Sequence, residues 1–247
     1  MSRPSSGAKR IFLYNWPTYA ATWAGAGAAA VLGWRMGGTG TWVLALGAAL
    51  AVAWSAVSLG VSSYIYDRSA LAGASWLPPF LPRSTGTWAS IDAGLDAEVG
   101  LDDVMTGACV ARLDIYDGEN VHAPSVRRAR AMTPRARPAT PSRATALALS
   151  DSSCDVIAVI FTAHEIRDVS ARERFFGEVH RALRSGGRML LVEHLRDTAN
   201  FLVFGPGFLH FQPRGEWLRL ASVAGLRLVR EACVTPWVMV IALEKVS

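Results

Sequence analysis

Cysteine is scarce: Cys109, Cys154 and Cys233 are the only three, and they lie far apart. They form no CxxC pair and no Cys/His ligand spacing, so neither a zinc site nor a disulfide framework is indicated, and a reducing compartment is the natural setting. Charge is absent from two long stretches, Ile11 to Trp34 and Met36 to Tyr66, whereas it is frequent from Asp92 to Arg230. Aromatic residues are missing from the basic run of Arg127, Arg128, Arg130, Arg135, Arg137 and Arg143. A surface that reads nucleic acid by stacking needs aromatics there, so the net charge of +5 is assigned to a solvated face or to anionic lipid head groups, with no nucleic-acid partner. With 51% hydrophobic residues, disorder is excluded.

The two uncharged stretches are long enough to act as membrane helices. Crossing the hydrocarbon core takes about 20 apolar residues, and Trp16–Trp34 and Thr41–Val61 both reach that length. Small residues repeat every fourth position, Ala20, Ala24 and Ala28 on the first and Gly47, Ala51 and Ser55 on the second, which predicts a tight helical hairpin. Gly37-Gly38-Thr39-Gly40 is the expected turn. Arg3, Lys9 and Arg10 before the first span and Arg68 and Arg83 after the second place both termini on the cytoplasmic side. A cleaved signal peptide is the competing reading; Asn15, Pro17 and the second span argue against it. The proline-rich Trp76–Pro82 reads as a linker at the membrane surface or as a loop packed on a soluble domain. The resulting division is a transmembrane hairpin over 1–70, a linker over 71–87 and a soluble domain over 88–247.

From Trp88 onward short apolar runs alternate with amphipathic stretches, the pattern of a mainly parallel sheet covered by helices. Strands are expected at Thr87–Ile91, Arg112–Tyr116, Asp155–Phe161 and Arg188–Val192. Helices are expected at Ala171–Leu183, stopped by Ser185-Gly186-Gly187, and at Gly215–Ala224, capped by Gly225. Arg227–Val234 and Trp237–Leu243, separated only by Thr235-Pro236, must form an antiparallel hairpin. Met132–Arg143 reads as a loop. The fold class is thus α/β, Rossmann-like, with a C-terminal antiparallel hairpin.

Leu147–Ile157 resembles the "LPFPDGSFDVV" segment of the class I S-adenosylmethionine-dependent methyltransferases, in the ubiquinone/menaquinone-biosynthesis-like branch called the type 11 methyltransferase domain. Phe175–Gly187 is similar to that family's "ELxRVLKPGGR" segment; the strand ending Leu190–His194, and Glu216-Trp217 with Ala224–Leu226, complete a likeness running from about Trp88 to Leu243. The resemblance implies S-adenosylmethionine as cofactor. It maps the glycine turn after the first strand onto Asp92-Ala93-Gly94, although Asp96 stands at the second glycine position and Ala97-Glu98-Val99-Gly100 is not glycine-rich. It maps the ribose-binding acid at the end of the second strand onto Asp114 or Asp117, adds Thr145 and Thr162 as cofactor contacts, and puts Arg143 where the family has an adenine-binding Asp. A plain strand-ending turn is the other reading of Asp92 and Gly94.

Methyl transfer from a sulfonium is an in-line displacement, so positioning supplies much of the rate and a base is needed only for a protonated acceptor. His164 and Glu165, in the loop after the Asp155–Phe161 strand, are the first candidates, with His164 as a neutral imidazole; capping of the next helix is their alternative role. His194, beside Glu193, is the second. The aromatic stretch Ala199–Phe211 suits a lid or pocket for an apolar acceptor, with His210 and Phe211 in its lining, or a helix packed on the sheet. His122 and His180 receive no role. The implied function is methylation of a small lipophilic acceptor by an integral membrane enzyme whose domain faces the cytoplasm, with membrane lipid as partner. The alternative is a non-catalytic membrane protein using the same fold as an interaction module, its crevice filled by side chains such as Leu95. Oligomeric state is not fixed by the sequence.

Overall fold

A computed structural model describes residues 7–94, 100–117, 123–132 and 137–246. Arg3, Leu95, Asp96, Ala97, Glu98, Val99, His122 and Arg135, named above, lie outside the described residues. The chain divides into two compact units, Met1–Arg68 and Ser69–Ser247.

The first unit is a pair of helices, α1 (Gly7–Met36) and α2 (Gly38–Ser63). Pro17 has no N–H to give the carbonyl four residues back, and α1 bends just before it at Asn15, whose side-chain amide donates to the Ile11 carbonyl at 3.1 Å. The reversal is tighter than the four-residue turn expected: Gly37 alone leaves the helix, with φ of 67°, and Gly38, Thr39 and Gly40 open α2. The seam between the helices also differs from the one expected. Ala20, Ala24, Ala28 and Gly47 are exposed. The buried positions are Tyr19, Ala26 and Gly33 on α1 and, on α2, Ser58 and Ser62 together with Ser55, the one position of the expected seam among them. A seven-residue spacing keeps Tyr19, Ala26 and Gly33 on one stripe, whereas a strict four-residue spacing drifts round the helix. Hydroxyls also select this face: Tyr19 and Ser58 share a hydrogen bond at 3.1 Å and Trp23 Nε1 donates to Ser55 at 3.2 Å. Among the described residues one helical stretch, Gly38–Arg68, is long and apolar enough to cross a membrane, with a mean hydropathy of 2.0 in its best window; α1, interrupted by Asn15 and Pro17, does not meet that measure, so the expectation of two spans is met by one.

The second unit is an α/β domain. Its elements run β1 (Thr87–Asp92), α3 (Leu101–Val104), β2 (Ala108–Asp114), α4 (Pro124–Met132), β3 (Thr140–Pro141), β4 (Cys154–Ile160), α5 (Val169–Ala182), β5 (Leu183–Glu193), α6 (Thr198–Phe204), α7 (Arg214–Val223), β6 (Leu226–Thr235) and β7 (Val238–Lys245). The strand order is β3-β2-β1-β4-β5-β7-β6; β3 to β5 are parallel along the sheet, and β7 pairs antiparallel with both β5 and β6. Strand β4 is buried from Val156 to Ile160, as a β-branched run covered on both faces should be. Helix α5 buries Phe175, Phe176 and Val179 and α7 buries Trp217 and Leu220; Phe176 and Trp217 stack with ring centres 6.2 Å apart. Ser69–Pro82 belongs to this unit, with Leu77 and Phe80 buried and Arg188 donating to the carbonyls of Phe80 and Leu81.

Two expectations are corrected here, on the glycine stretch and on the loop, and the basic run gains a secondary structure. Ser185-Gly186-Gly187 does not merely stop a helix: α5 ends at Ala182 and β5 begins at once, the glycines forming a bulge opposite Cys154 and Val156, with Gly186 at φ of 75°. Part of the basic run is the helix α4, with Val126 and Ala129 buried. The expected loop Met132–Arg143 contains β3, which pairs with Leu113 and Asp114. At Gly187 a Cβ would lie 2.9 Å from the Arg184 carbonyl oxygen and 3.1 Å from that of Cys154, both backbone atoms. Gly187→Ala is therefore expected to cost about 1–3 kcal/mol as overpacking, read as a lower thermal midpoint of the purified chain; an unchanged midpoint would show that the bulge yields freely.

Candidate functional site

From β1 the chain winds outward to β2 and β3, then returns to lay β4 and β5 on the other side of β1. The carboxyl ends of β1 and β4 consequently lead in opposite directions and open the crevice in which doubly wound sheets hold ligands. Along this edge stand Asp114 of β2, Asp92 of β1, Phe161 and Thr162 after β4, and Glu193 and His194 of β5 and its end. With about 4.8 Å between strands, the acids of β2 and β5 lie about 14 Å apart.

On the β2 side, Asp92 and Asp114 are register partners. The Asp92 carboxylate accepts from the Gly94 amide, and Gly94 has φ of 84°, a conformation open to glycine at little cost. Arg130, from α4, is the neighbour that sequence reasoning missed. Its guanidinium donates to both Asp114 oxygens at 3.0 and 2.8 Å and lies over the Tyr116 ring at 4.4 Å. Its approach also needs the bare Gly94 Cα: a Cβ there would meet the Arg130 side chain. Asp114, the acid that the resemblance puts at the ribose hydroxyls, is thus engaged by a cation of the same chain. Asp117 lies beyond β2, half-buried, and Thr145 is half-buried in the turn bridged by Arg143 and Ala146, which follows β3, the strand paired with Asp114. Exposed Arg143, at the adenine-acid position, engages that turn through its carbonyl.

On the β5 side, Glu193 is fully buried. Its Oε1 accepts the amides of Thr162 at 3.1 Å and His164 at 3.3 Å, and its Oε2 lies 2.5 Å from His164 Nδ1. His164 Nε2 faces Glu165 Oε1 at 3.4 Å, which in turn is 3.0 Å from His210 Nε2. Burial alone would depress the His164 pKa, but the Glu193 and Glu165 carboxylates outweigh it and push it up to about 10. Burial likewise opposes the charge on Glu165, yet hydrogen bonds from His164 and His210 hold its carboxyl well below the usual range. This direction runs against the neutral His164 expected from the sequence: with no other cation bound, the two carboxylates favour its protonated form. The helix cap is provided by Asp168, whose carboxylate accepts the Ala171 amide at 2.7 Å, and not by His164 or Glu165.

His194 is the neutral histidine. Burial brings its pKa down to about 4, and its Nδ1–H donates to the Trp237 carbonyl at 2.8 Å. Its ring is packed by Phe161 (centroids 4.9 Å), Phe211 (5.0 Å) and Phe204 (5.2 Å). Phe161 adopts φ of 48°, a conformation costing a bulky residue roughly 1–3 kcal/mol, and the surrounding rings and the amide bond to Val192 hold it there. Arg196 fastens the segment above by donating to the carbonyls of Phe211 and Leu209, both at 2.8 Å. Phe201, Leu202 and Leu209 of this segment remain exposed.

Residues 106–191 match the family described as "Methyltransferase domain". The match begins after β1, so the turn at Asp92–Gly94 lies outside it. A search of curated proteins finds no match. Among solved structures the chain is similar to a SAM-dependent methyltransferase of Aquifex aeolicus (16% identity, 78% of this chain and 98% of that one, TM-score 0.55). It is also similar to one of Methanosarcina mazei (16%, 70% and 98%, 0.50). A third is the geranyl diphosphate C-methyltransferase of Streptomyces coelicolor, solved with Mg2+, geranyl diphosphate and S-adenosyl-L-homocysteine (14%, 70% and 78%, 0.50). Residues 106–191 thus match a methyltransferase-domain model, and the α/β unit has the fold of these S-adenosylmethionine-dependent enzymes.

The His194 environment sets a pH dependence. A histidine whose pKa falls from 6.5 to about 4 on folding binds its proton more readily when unfolded, so stability is lost as pH drops from about 6.5 towards 4. Between pH 7 and pH 5 this amounts to about 2 kcal/mol. Denaturation of the wild type and His194→Gln at both pH values should show a loss in the wild type that the variant reduces by about that amount; equal losses would contradict the assignment.

Proposed function

We propose that the chain transfers a methyl group from S-adenosylmethionine to a small, lipophilic acceptor at the cytoplasmic face of a membrane. The single observation that carries this is the carboxyl edge of a methyltransferase-domain sheet, where Asp92, Gly94 and Asp114 stand at one end and a buried histidine and aromatic cluster at the other. Asp114 suits paired ribose hydroxyls and Gly94 leaves the backbone open to close approach. Bound S-adenosylmethionine supplies an electrophilic methyl on a sulfonium. Of the chain's own residues, Asp92 stands at the crevice, while Phe161, Thr162 and Phe211 are buried behind it and keep water from its far wall, with His194 held among the rings.

A lipophilic acceptor is supported by Phe201, Leu202 and Leu209, left exposed on the segment over the histidines. Membrane attachment is supported by the first unit, whose helices leave Trp16, Trp23, Val31, Leu32, Trp42, Val43, Leu46 and Leu50 exposed. On this reading α2 spans, α1 accompanies it as the second arm of a transmembrane hairpin despite its bend, and Lys9, Arg10 and Arg68 face the cytoplasm. Residues 1–70, 71–87 and 88–247 then serve as anchor, surface linker and catalytic domain.

The Arg130–Asp114 pair favours a second reading, an interaction module whose cofactor crevice is filled from within. Calorimetric titration of the purified chain with S-adenosylhomocysteine separates the two. Methyl transfer predicts micromolar binding, weakened about tenfold or more in Asp114→Ala, which removes charge-assisted hydrogen bonds, and tightened in Arg130→Ala, which removes the competitor. No binding at millimolar ligand in the wild type and in Arg130→Ala would establish the interaction module.

A further inference from the structure

The structure assigns a second ligand to the same sheet edge: we propose that His164, Glu165 and His210 bind one divalent transition-metal ion. One ligand atom from each of these residues lies within 4.8 Å of the others. Two of the separations, 3.4 Å from His164 Nε2 to Glu165 Oε1 and 3.0 Å from Glu165 Oε1 to His210 Nε2, are near the ligand–ligand spacing of a tetrahedral centre with bonds of about 2.0–2.2 Å. Two imidazoles and one carboxylate suit zinc or ferrous iron rather than magnesium or calcium, which take all-oxygen shells.

Two further observations point to a ligand. Glu193 receives His164 Nδ1 at 2.5 Å, so this carboxylate fixes the imidazole with Nε2 turned to Glu165, the outer-shell arrangement that orients metal-bound histidines. The other oxygen of Glu165, Oε2, is buried without a hydrogen-bond partner, in a side chain only 4% exposed. A buried carboxylate oxygen without a hydrogen bond is costly; the Arg167 guanidinium at 3.7 Å meets it in part, and a cation held by the same carboxylate offsets more of that cost.

Arg167 supplies the positive charge in the cluster as it stands. Its guanidinium touches the His210 ring and lies 3.7 Å from Glu165 Oε2. Its side chain is 35% exposed, so it can swing outward, and His210, the most exposed of the three ligands, marks the side from which an ion enters. His164 and Glu165 sit on a turn tied down by Glu193, and His210 on a segment tied down by Arg196. The site is therefore built on fixed backbone, and it stands independently of the cofactor reading.

The test is zinc binding by the full-length chain, stripped with a chelator, re-equilibrated with Zn2+ and measured by elemental mass spectrometry after desalting. One zinc per chain is expected, with affinity lowered about tenfold or more in Glu165→Gln and His210→Ala, lowered 10–100-fold by the outer-shell change Glu193→Gln, and raised in Arg167→Ala. A Co2+-loaded wild-type chain serves as a check that does not depend on any variant folding: a four-coordinate ligand-field spectrum supports the site and the spectrum of the hexa-aquo ion overturns it. Substoichiometric zinc in the wild type, or unchanged affinity in both Glu165→Gln and His210→Ala, also overturns it. S-adenosylhomocysteine titrated into the same samples reports separately on the cofactor crevice, so failure of either site is seen without the other.

Discussion

A carboxylate with no solvent contact, Glu193 at the end of β5, is the constraint around which this domain's functional edge is arranged. A buried charge is tolerated only when it is paired and its lone pairs are met. Glu193 meets that demand by drawing in the Thr162 and His164 amides and the His164 ring, so the loop after β4 is pinned to the strand beside it. Removing one partner would leave the other charge buried and alone, a situation that costs about 3–5 kcal/mol in buried pairs. The pinned loop then carries Glu165 to His210, and through it the aromatic segment after α6 is joined to the sheet.

The opposite end of the edge follows the same rule with a different outcome. Asp114 is also buried, and its charge is met by Arg130, a residue that can leave because its helix surface is half-exposed. One end is thus held by a carboxylate within the sheet and the other by an arginine from the helix beside it. Between them lie Asp92, Gly94, Phe161 and Thr162, at the edge where doubly wound sheets hold their ligands. His194, packed by aromatic rings, and His164, between two carboxylates, show how burial alone and burial with paired carboxylates shift identical side chains in opposite directions.

Much of the α/β framework was legible in the residues. The continuous run Val156–Ile160, the Phe175/Phe176/Val179 periodicity and the Thr235-Pro236 break each have a local cause, and β4, α5 and the β6–β7 hairpin lie where those signals put them. What escaped depends on partners far away in sequence. Arg130 reads as one arginine in a basic run until α4 turns it onto Asp114; the state of His164 depends on Glu193, 29 residues later. The helix seam was misplaced because small size alone was taken to choose the face, whereas Tyr19 and Trp23 needed hydroxyl partners on α2. The Ser185–Gly187 stretch carried a true glycine signal whose use, a bulge against β4, only strand pairing reveals.

The central claim is that the carboxyl edge of this sheet is a binding site for S-adenosylmethionine. Hydrogen–deuterium exchange of the purified full-length chain, with and without saturating S-adenosylmethionine, tests it most directly. The account predicts slowed exchange in peptides spanning 89–94, 112–117 and 160–166, with no change in the hairpin of β6 and β7. Protection confined to other segments, or none anywhere, would contradict it.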